Sequence, residues 1–376
     1  MKKIILTILV SALLTPSITL ASMESNFSEY IRQTGLRKSV QSACVEDKTG
    51  MVARLNENML IVPASVSKIY VFDMALAKLP PDFRYTTTFY RVGDTMYING
   101  GGDPHFIDEH LSKVIEEMTE SNDAPFRTFV ISPNFIFNWK QKSEETQMAV
   151  FNALKKYPDL PIASRIRVTT ANYPYSGKGE KYEFRSAPLS ALMKQINNYS
   201  TNISADILFN RLGGAPAFMQ YMKNTYGVDS KTVYFKSGSG LTGNYTTCAL
   251  TLRVIKHLEE QLKKRKMTLT DVLSIPDIDP GVLRDRDIDL NDAVSVAAKS
   301  GYVNRHHALA GVVNTKSGPV YFGIFATYST SKQNKITKAM VDKFLNTILD
   351  NYRPVLRAYN YIPNENIFSN ILIRKV

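Results

Sequence analysis

The chain reads as an α+β protein whose main sheet is built from both chain ends, with a smaller α/β domain inserted between the halves. Three features predict this. Strand-like runs and one helix open the sequence, a segment mixing strands and helices interrupts it, and helices followed by antiparallel-type strand runs close it. The predicted layout is a leader at 1–22, a main domain at 23–84 and 185–376, and an insertion at 85–184.

Each element has a local reason. From Ser42 to Leu60 two alternating runs flank Lys48-Thr49-Gly50, which is hairpin punctuation. In IVPASVSKIYVFDMALAKL, Pro63 and Ser65 mark a helix start, and apolar residues then recur at helical spacing. Strand patterns run from Tyr85 to the turn Gly100-Gly101-Gly102-Asp103-Pro104. Residues 107–120 and 144–156 read as helices, with strand-like FRTFVIS and ASRIRVTT nearby. A loop rich in Gly, Tyr and Lys at 172–184 marks the boundary. Ser186 to Leu212 is a helical pair broken between Asn198 and Ser200, and 248–264 is a further helix. AVSVAAKSG, HALAGVVNT and PVYFGIFAT are strands, and 333–350 is a closing helix. Residues 353–376, with Tyr359, Tyr361 and the basic end Arg374-Lys375, read as a packed tail, with a membrane-surface contact as the alternative.

The chain has 376 residues, 44% hydrophobic and 21% charged, which excludes a disordered chain, a collagen and a coiled coil. Lys plus Arg number 46 against 34 Asp plus Glu, a net charge of +12 that favours polyanionic surroundings. The N-terminus narrows the choice. Lys2 and Lys3 precede an apolar run from Ile4 to Leu14, Pro16 breaks it, and Ala21 and Ser22 are small, which is the pattern of a cleaved signal peptide. That run is too short to span a bilayer comfortably, and no later stretch is apolar enough. The expected location is the periplasm, or outside the cell, so nucleic acid is a poor partner. Cys44 and Cys248 are the only cysteines and are read as two buried thiols. His105, His110, His257, His306 and His307 show no zinc spacing, so neither metal nor cofactor is expected.

Three short motifs suggest chemistry, and context must choose among their copies. SxxK occurs at Ser65…Lys68 and Ser329…Lys332. On a helix, residues three apart share a face, so a serine nucleophile and a lysine base can touch. Only Ser65 stands at a predicted helix start, where free N–H groups favour developing negative charge. The alternative is a helix N-cap beside a solvated lysine. K[S/T]G occurs at Lys48, Lys236, Lys299 and Lys316, and only Lys299 ends a β-run; its alternative is a solvated strand-end lysine. SxN occurs at Ser132…Asn134 and Ser200…Asn202, the latter between two helices, where Ser200 could instead cap ISADILFNRL.

SxxK, SxN and K[S/T]G in that order form the motif set of penicillin-binding proteins and β-lactamases. PASVSKIYVFDMALAKLPPDFRYTTTF, NGGGDP, FRSAPLSALMKQINNYSTNISADILFNRLGG, KSGSGLTGN and AKSGYVNRHHALAGVVNTKSG resemble the class C low-molecular-mass penicillin-binding proteins, serine D-alanyl-D-alanine carboxypeptidase/endopeptidases. The resemblance covers nearly all of residues 40–350 and implies the penicilloyl-serine transferase fold. It implies that Ser65 attacks, Lys68 takes its proton, Ser200 relays a proton to the leaving amine and Asn202 binds the substrate amide. It further implies that Lys299 supports the electrostatics, Ser300 meets a substrate carboxylate, and Gly301 and Tyr302 complete the substrate edge. The N–H groups of Ser65 and Tyr302 would form the oxyanion hole. The implied partners are peptidoglycan stem peptides and cross-links, with β-lactams as covalent inhibitors.

Several positions depart from the family pattern. Tyr302 stands where a small Ser or Thr is usual, Gly243 where Arg is common, and FNWKQKSEE only weakly echoes a Trp- and Asp-containing peptide-holding segment. The insertion is also short, which implies one inserted domain and a more open cleft. The rival readings are a β-lactamase, which needs a carboxylate to activate water, a non-catalytic peptidoglycan-binding relative, and a charge-driven polyanion scaffold.

Overall fold

The structure is a computed structural model that describes residues 20–119, 123–171, 179–241, 243–284, 286, 288, 295–352, 354–355 and 369–376. The predicted leader up to residue 19, most of the Gly/Tyr/Lys-rich loop and Tyr359 and Tyr361 lie outside the described residues.

Two sheets organise the chain, as the α+β reading expects. Strands β1 (Ser42–Asp47) and β2 (Gly50–Leu55) form the first hairpin. They join β8 (Val296–Val303), β9 (His306–Thr315) and β10 (Gly318–Thr327) in an antiparallel sheet of order β2-β1-β10-β9-β8. Chain start and chain end therefore share one sheet, through β1 paired with β10. Alternating side chains face two different cores. Cys44, Ala297, Ala308, Ala310 and Val312 pack against helices α2 (Ser67–Lys78) and α8 (Cys248–Lys263). Val45, Ala298, Leu309 and Val313 pack against α1 (Leu20–Gln33) and the last helix, Gln333–Asn351. There Phe27 stacks on Phe344 with centroids 4.1 Å apart.

The second sheet holds β3 (Thr86–Val92), β4 (Thr95–Asn99), β5 (Phe126–Ile131), β6 (Ile162–Thr170) and β7 (Glu180–Arg185). Parallel pairs β4–β5 and β5–β6 need crossovers, and α3 (Asp108–Glu117) and α4 (Ser143–Lys156) supply them. Phe89, Phe106, Phe129 and Phe184 fill its core. The two chain crossings between the sheets are tied together. Ser186 N donates to Tyr85 O at 2.9 Å, and Tyr85 N donates to Ser186 Oγ at 2.9 Å. The tail departs from the expected layout: β11 (Leu372–Lys375) pairs with β7, so the last residues extend the second sheet rather than the main domain.

The remaining helices are α5 (Leu189–Tyr199), α6 (Asn202–Arg211) and α7 (Gly214–Tyr226), so the closing helix Gln333–Asn351 is α9. Helix α2 is buried along ten of its residues, Ser67 to Leu76. Its Asp73 is fully satisfied: Tyr221 and Tyr226 donate hydroxyls to Oδ2 at 2.7 and 2.5 Å, and Gln261 donates to Oδ1 at 2.7 Å. His257 lies 2.8 Å from Oδ1 and is held above its ordinary pKa by that hydrogen bond. A helix pinned in this way from α7 and α8 has little freedom to rotate its N-terminal side chains. No helix among the described residues is long and apolar enough to cross a membrane.

The reading of Cys44 and Cys248 as free thiols is corrected. They form a disulfide with Cα atoms 6.1 Å apart, a spacing that suits the bond. Cys44 sits on the α8-facing side of β1 opposite Gly323, and Cys248 opens α8. Gly323 has no side chain to block the approach; a Cβ there would stand 2.9 Å from the Cys248 sulfur. The bond closes a loop of 204 residues, and cross-links across long loops restrict the unfolded chain most in the chain-entropy account. Removing it by Cys44→Ala with Cys248→Ala should cost about 2–4 kcal/mol. Urea unfolding with and without reductant reads this, and coincident curves would refute it.

Candidate active site

Ser65 occupies a single 3₁₀ turn, Ala64–Val66, that leads into α2. It thus stands one turn ahead of the α-helix rather than inside it, because Ala64 takes a left-handed φ of 48° that a right-handed helix cannot continue. Such strain at a non-glycine residue persists only where surrounding packing enforces it. Here Gly240 lies directly against the Ala64 carbonyl, so close that a Cβ on Gly240 would collide with it.

One turn on, Lys68 is fully buried. Its Nζ lies 2.9 Å from Ser65 Oγ, 2.9 Å from Asn202 Oδ1 and 3.3 Å from Ser239 O. Two of these partners can only accept. A neutral amine has two N–H donors for them and one lone pair for the Ser65 proton. Burial pushes Lys68 down to about 7, opposed in part by the Asp206 carboxylate. Asp206 stands one turn after Asn202 on α6 and accepts the Ser239 N–H at 2.7 Å, which fixes the carbonyl that Lys68 meets.

Ser200 does not cap α6. It ends α5 in a left-handed conformation, φ 53°, and Thr201 takes the N-cap position. Its hydroxyl makes no hydrogen bond among the described residues and lines the cleft. Asn197 and Asn198 stitch this corner to β8: Asn197 Nδ2 donates to Ala298 O at 3.2 Å, and Ser274 Oγ donates to Asn198 Oδ1 at 2.7 Å.

Strand β8 forms the opposite wall. A Cβ on Gly301 would lie 2.7 Å from Pro63 O and 3.1 Å from Ser65 N, so only glycine lets the strand run this close to the Ser65 turn. Lys299 is fully buried, and its Nζ has no hydrogen-bond partner among the described residues. Burial pushes its pKa well below the ordinary lysine range, and Lys68 and Arg286 push it further. Tyr302 is 56% exposed and pairs across the ladder with His307, the rings stacked 4.7 Å apart.

A cavity of about 350 Å³ joins these groups. Ser65, Ser200 and Asn202 line it, as do Ser300, Gly301 and Tyr302, while Lys68 and Lys299 lie buried behind its walls. The competing motif copies lie elsewhere. Lys48, Lys236 and Lys316 are exposed, as are Ser329 and Lys332, and Ser132 bonds locally to Asn134. Sequence reading missed five groups: Val282, Arg286, His307 and Lys338 on the cavity wall, and Asp206 beneath it. Asp206 had a signal, its i+4 spacing from Asn202, and His307 lies in the quoted segment after the third motif; Val282, Arg286 and Lys338 come from segments with no motif.

Lys299 is a buried amine with no hydrogen-bond partner among the described residues, so replacing it with an apolar isostere should stabilise the fold. Lys299→Met is expected to raise stability by about 1 kcal/mol, measured by thermal unfolding at neutral pH; a lower melting temperature would contradict it.

The chain matches the model of the D-Ala-D-Ala carboxypeptidase 3 (S13) family over residues 23–149 and 137–347. No curated protein matches it. Among solved structures it resembles a predatory peptidoglycan endopeptidase of Bdellovibrio bacteriovorus, with a TM-score of 0.74, 20% identity, and 90% of this chain and 99% of that chain covered. The penicillin-G-acylated predatory endopeptidase of the same organism, in complex with an immunity protein, gives 0.76 and 22%, with the same coverage. Penicillin-binding protein 4 of Haemophilus influenzae, complexed with a β-lactam, gives 0.69 and 15%, covering 87% and 99%.

Proposed function

The chain belongs to the D-Ala-D-Ala carboxypeptidase 3 (S13) family, and from that premise we propose that it cleaves the amide after a D-alanine in peptidoglycan stem peptides and cross-links, through an acyl-enzyme on Ser65. The observation that carries the reading is the buried Lys68 amine held between Ser65 Oγ and Asn202 Oδ1 at 2.9 Å each.

In this mechanism Ser65 Oγ attacks the D-alanine carbonyl while its proton passes to the Lys68 lone pair. The N–H groups of Ser65 and Tyr302 take the oxyanion. The close passage of Gly301 beside Ser65 N supports that pairing. Collapse breaks the C–N bond, and the leaving amine is protonated through Ser200. Asn202 holds the substrate amide, and Ser300 meets the leaving carboxylate. Lys299, when protonated, supplies positive potential to the cleft and opposes protonation of Lys68. Water then hydrolyses the Ser65 ester. A β-lactam would acylate Ser65 by the same attack, its ring amide opening; one structural relative is acylated by penicillin G.

We also propose that residues 1–22 form a cleaved signal peptide and that the enzyme works in the periplasm. The Cys44–Cys248 bond supports an oxidising compartment. The positive surplus, smaller by Lys2 and Lys3 after cleavage, suits an anionic insoluble polymer. Residues 23–84 and 185–352 are read as the catalytic unit and 85–184 as the inserted one.

A fluorescent penicillin should label the protein slowly reversibly, and Ser65→Ala should lose labelling by at least about a thousandfold. Rapid turnover of the adduct would instead indicate a β-lactamase, and no adduct a binding protein. Incubation with defined muropeptides and mass analysis should show release of D-alanine or opening of cross-links. The acylation rate should also depend on pH with a defined sign. Lys68 acts as base only when unprotonated, so the rate should climb as pH rises through about 7 and then level off. A flat profile from pH 5.5 to 9 would remove Lys68 from the base role.

A further inference from the structure

The cleft is asymmetric in charge. Ser65, Ser200 and Asn202 are neutral, whereas the far wall bears the cations Arg286 and Lys338 around Ser300, beside His307, whose protonation is disfavoured by burial. The scissile bond is asymmetric too. Its carbonyl side becomes the ester on Ser65, and its amine side leaves with a carboxylate on the adjoining carbon. Charge complementarity therefore sets the leaving group against the cationic wall.

Helix α9 determines how much negative charge that wall can take. Asn334, Lys338 and Asp342 recur at four-residue spacing and share one helix face. Asn334 Oδ1 accepts from His307 Nε2 at 2.6 Å, and Asp342 pairs with Arg286 at 3.0 Å, both side chains of that pair being buried. The residues on either side of Lys338 are thus tied to the cleft wall. Lys338 itself lines the cavity, is exposed, and has no hydrogen bond or ion pair among the described residues. Arg286 lines the cavity, and its guanidinium has more N–H groups than its contact with Asp342 uses, so with Ser300 it can hydrogen-bond one leaving carboxylate. The charge of Lys338 remains over.

We propose that Lys338 is a specificity-determining residue that selects leaving groups carrying a second carboxylate, such as the diamino-acid end of a peptide cross-link, over a single D-alanine. This deepens the function proposed above and rests on it.

The test compares two cross-linked peptide dimers that differ only at the distal carboxylate of the leaving diamino acid, free in one and amidated in the other. The wild-type enzyme should cleave the free acid with a kcat/KM about threefold to tenfold higher, and the preference should shrink at high salt. Lys338→Gln should abolish the preference, Lys338→Glu should invert it, and Lys338→Arg should keep it. Penicillin labelling of Ser65 reports independently on each variant. A wild-type enzyme that labels normally but cleaves both dimers equally overturns this inference alone, as does a preference that survives in Lys338→Gln. A wild-type protein that neither labels nor cleaves overturns the underlying reading and the inference with it.

Discussion

Two lysine side chains are buried beside one serine, and much of the architecture follows from keeping them there. A protonated lysine away from water is strongly disfavoured, so each group must either find acidic partners or give up its proton. Lys68 has no carboxylate in hydrogen-bond contact; Asp206 acts on it only at a distance. Lys299 has no hydrogen-bond partner at all among the described residues, and its charge opposes that of Lys68. The outcome is an amine near neutrality, within reach of a hydroxyl it can deprotonate. The same burial is a stability burden, which the surrounding core of α2, α8 and the five-stranded sheet must offset.

Backbone rather than side chains brings the walls together. Ala64 and Ser200 both hold left-handed conformations at the cleft, and Gly240 and Gly301 lie where any side chain would strike the Ser65 turn. Strain of this sort costs about 1–3 kcal/mol at each residue and survives only if packing over-determines it. The Asp73 cluster behind α2 and the Asn197–Ser274–Asn198 stitching behind α5 are the packing that does so. The disulfide adds a covalent tie between β1 and α8 on the same side of the sheet.

Much of this was legible beforehand, and the reasons are local. Element types followed from local pattern: α5 and α6 break where a helical pattern stops, and β8 to β10 read as strands because each carries a short, mainly apolar run. The motif copies could be ranked because spacing and element type constrain which side chains meet. Other features were not legible. Ser200 looks like a helix cap in sequence, yet a left-handed residue at the end of α5 leaves its hydroxyl open to the cleft. Arg286 and Lys338 carry no motif and reach the cavity only through the path of the chain around β8 and the placement of α9. The cysteine pairing depends on Gly323, more than seventy residues from either partner.

By itself, then, the sequence determined the element order, the Ser65–Lys68 pair as the candidate site, the second and third motifs and their family resemblance, because these depend on residue type and near-neighbour spacing. Only the tertiary structure decided that Lys68 and Lys299 lose their water, that Cys44 and Cys248 join, that the last strand completes the second sheet, and that α9 brings Lys338 to the cleft wall. Burial, sheet register and the approach of distant segments arise from contacts between residues far apart in the chain, and local pattern carries no record of them.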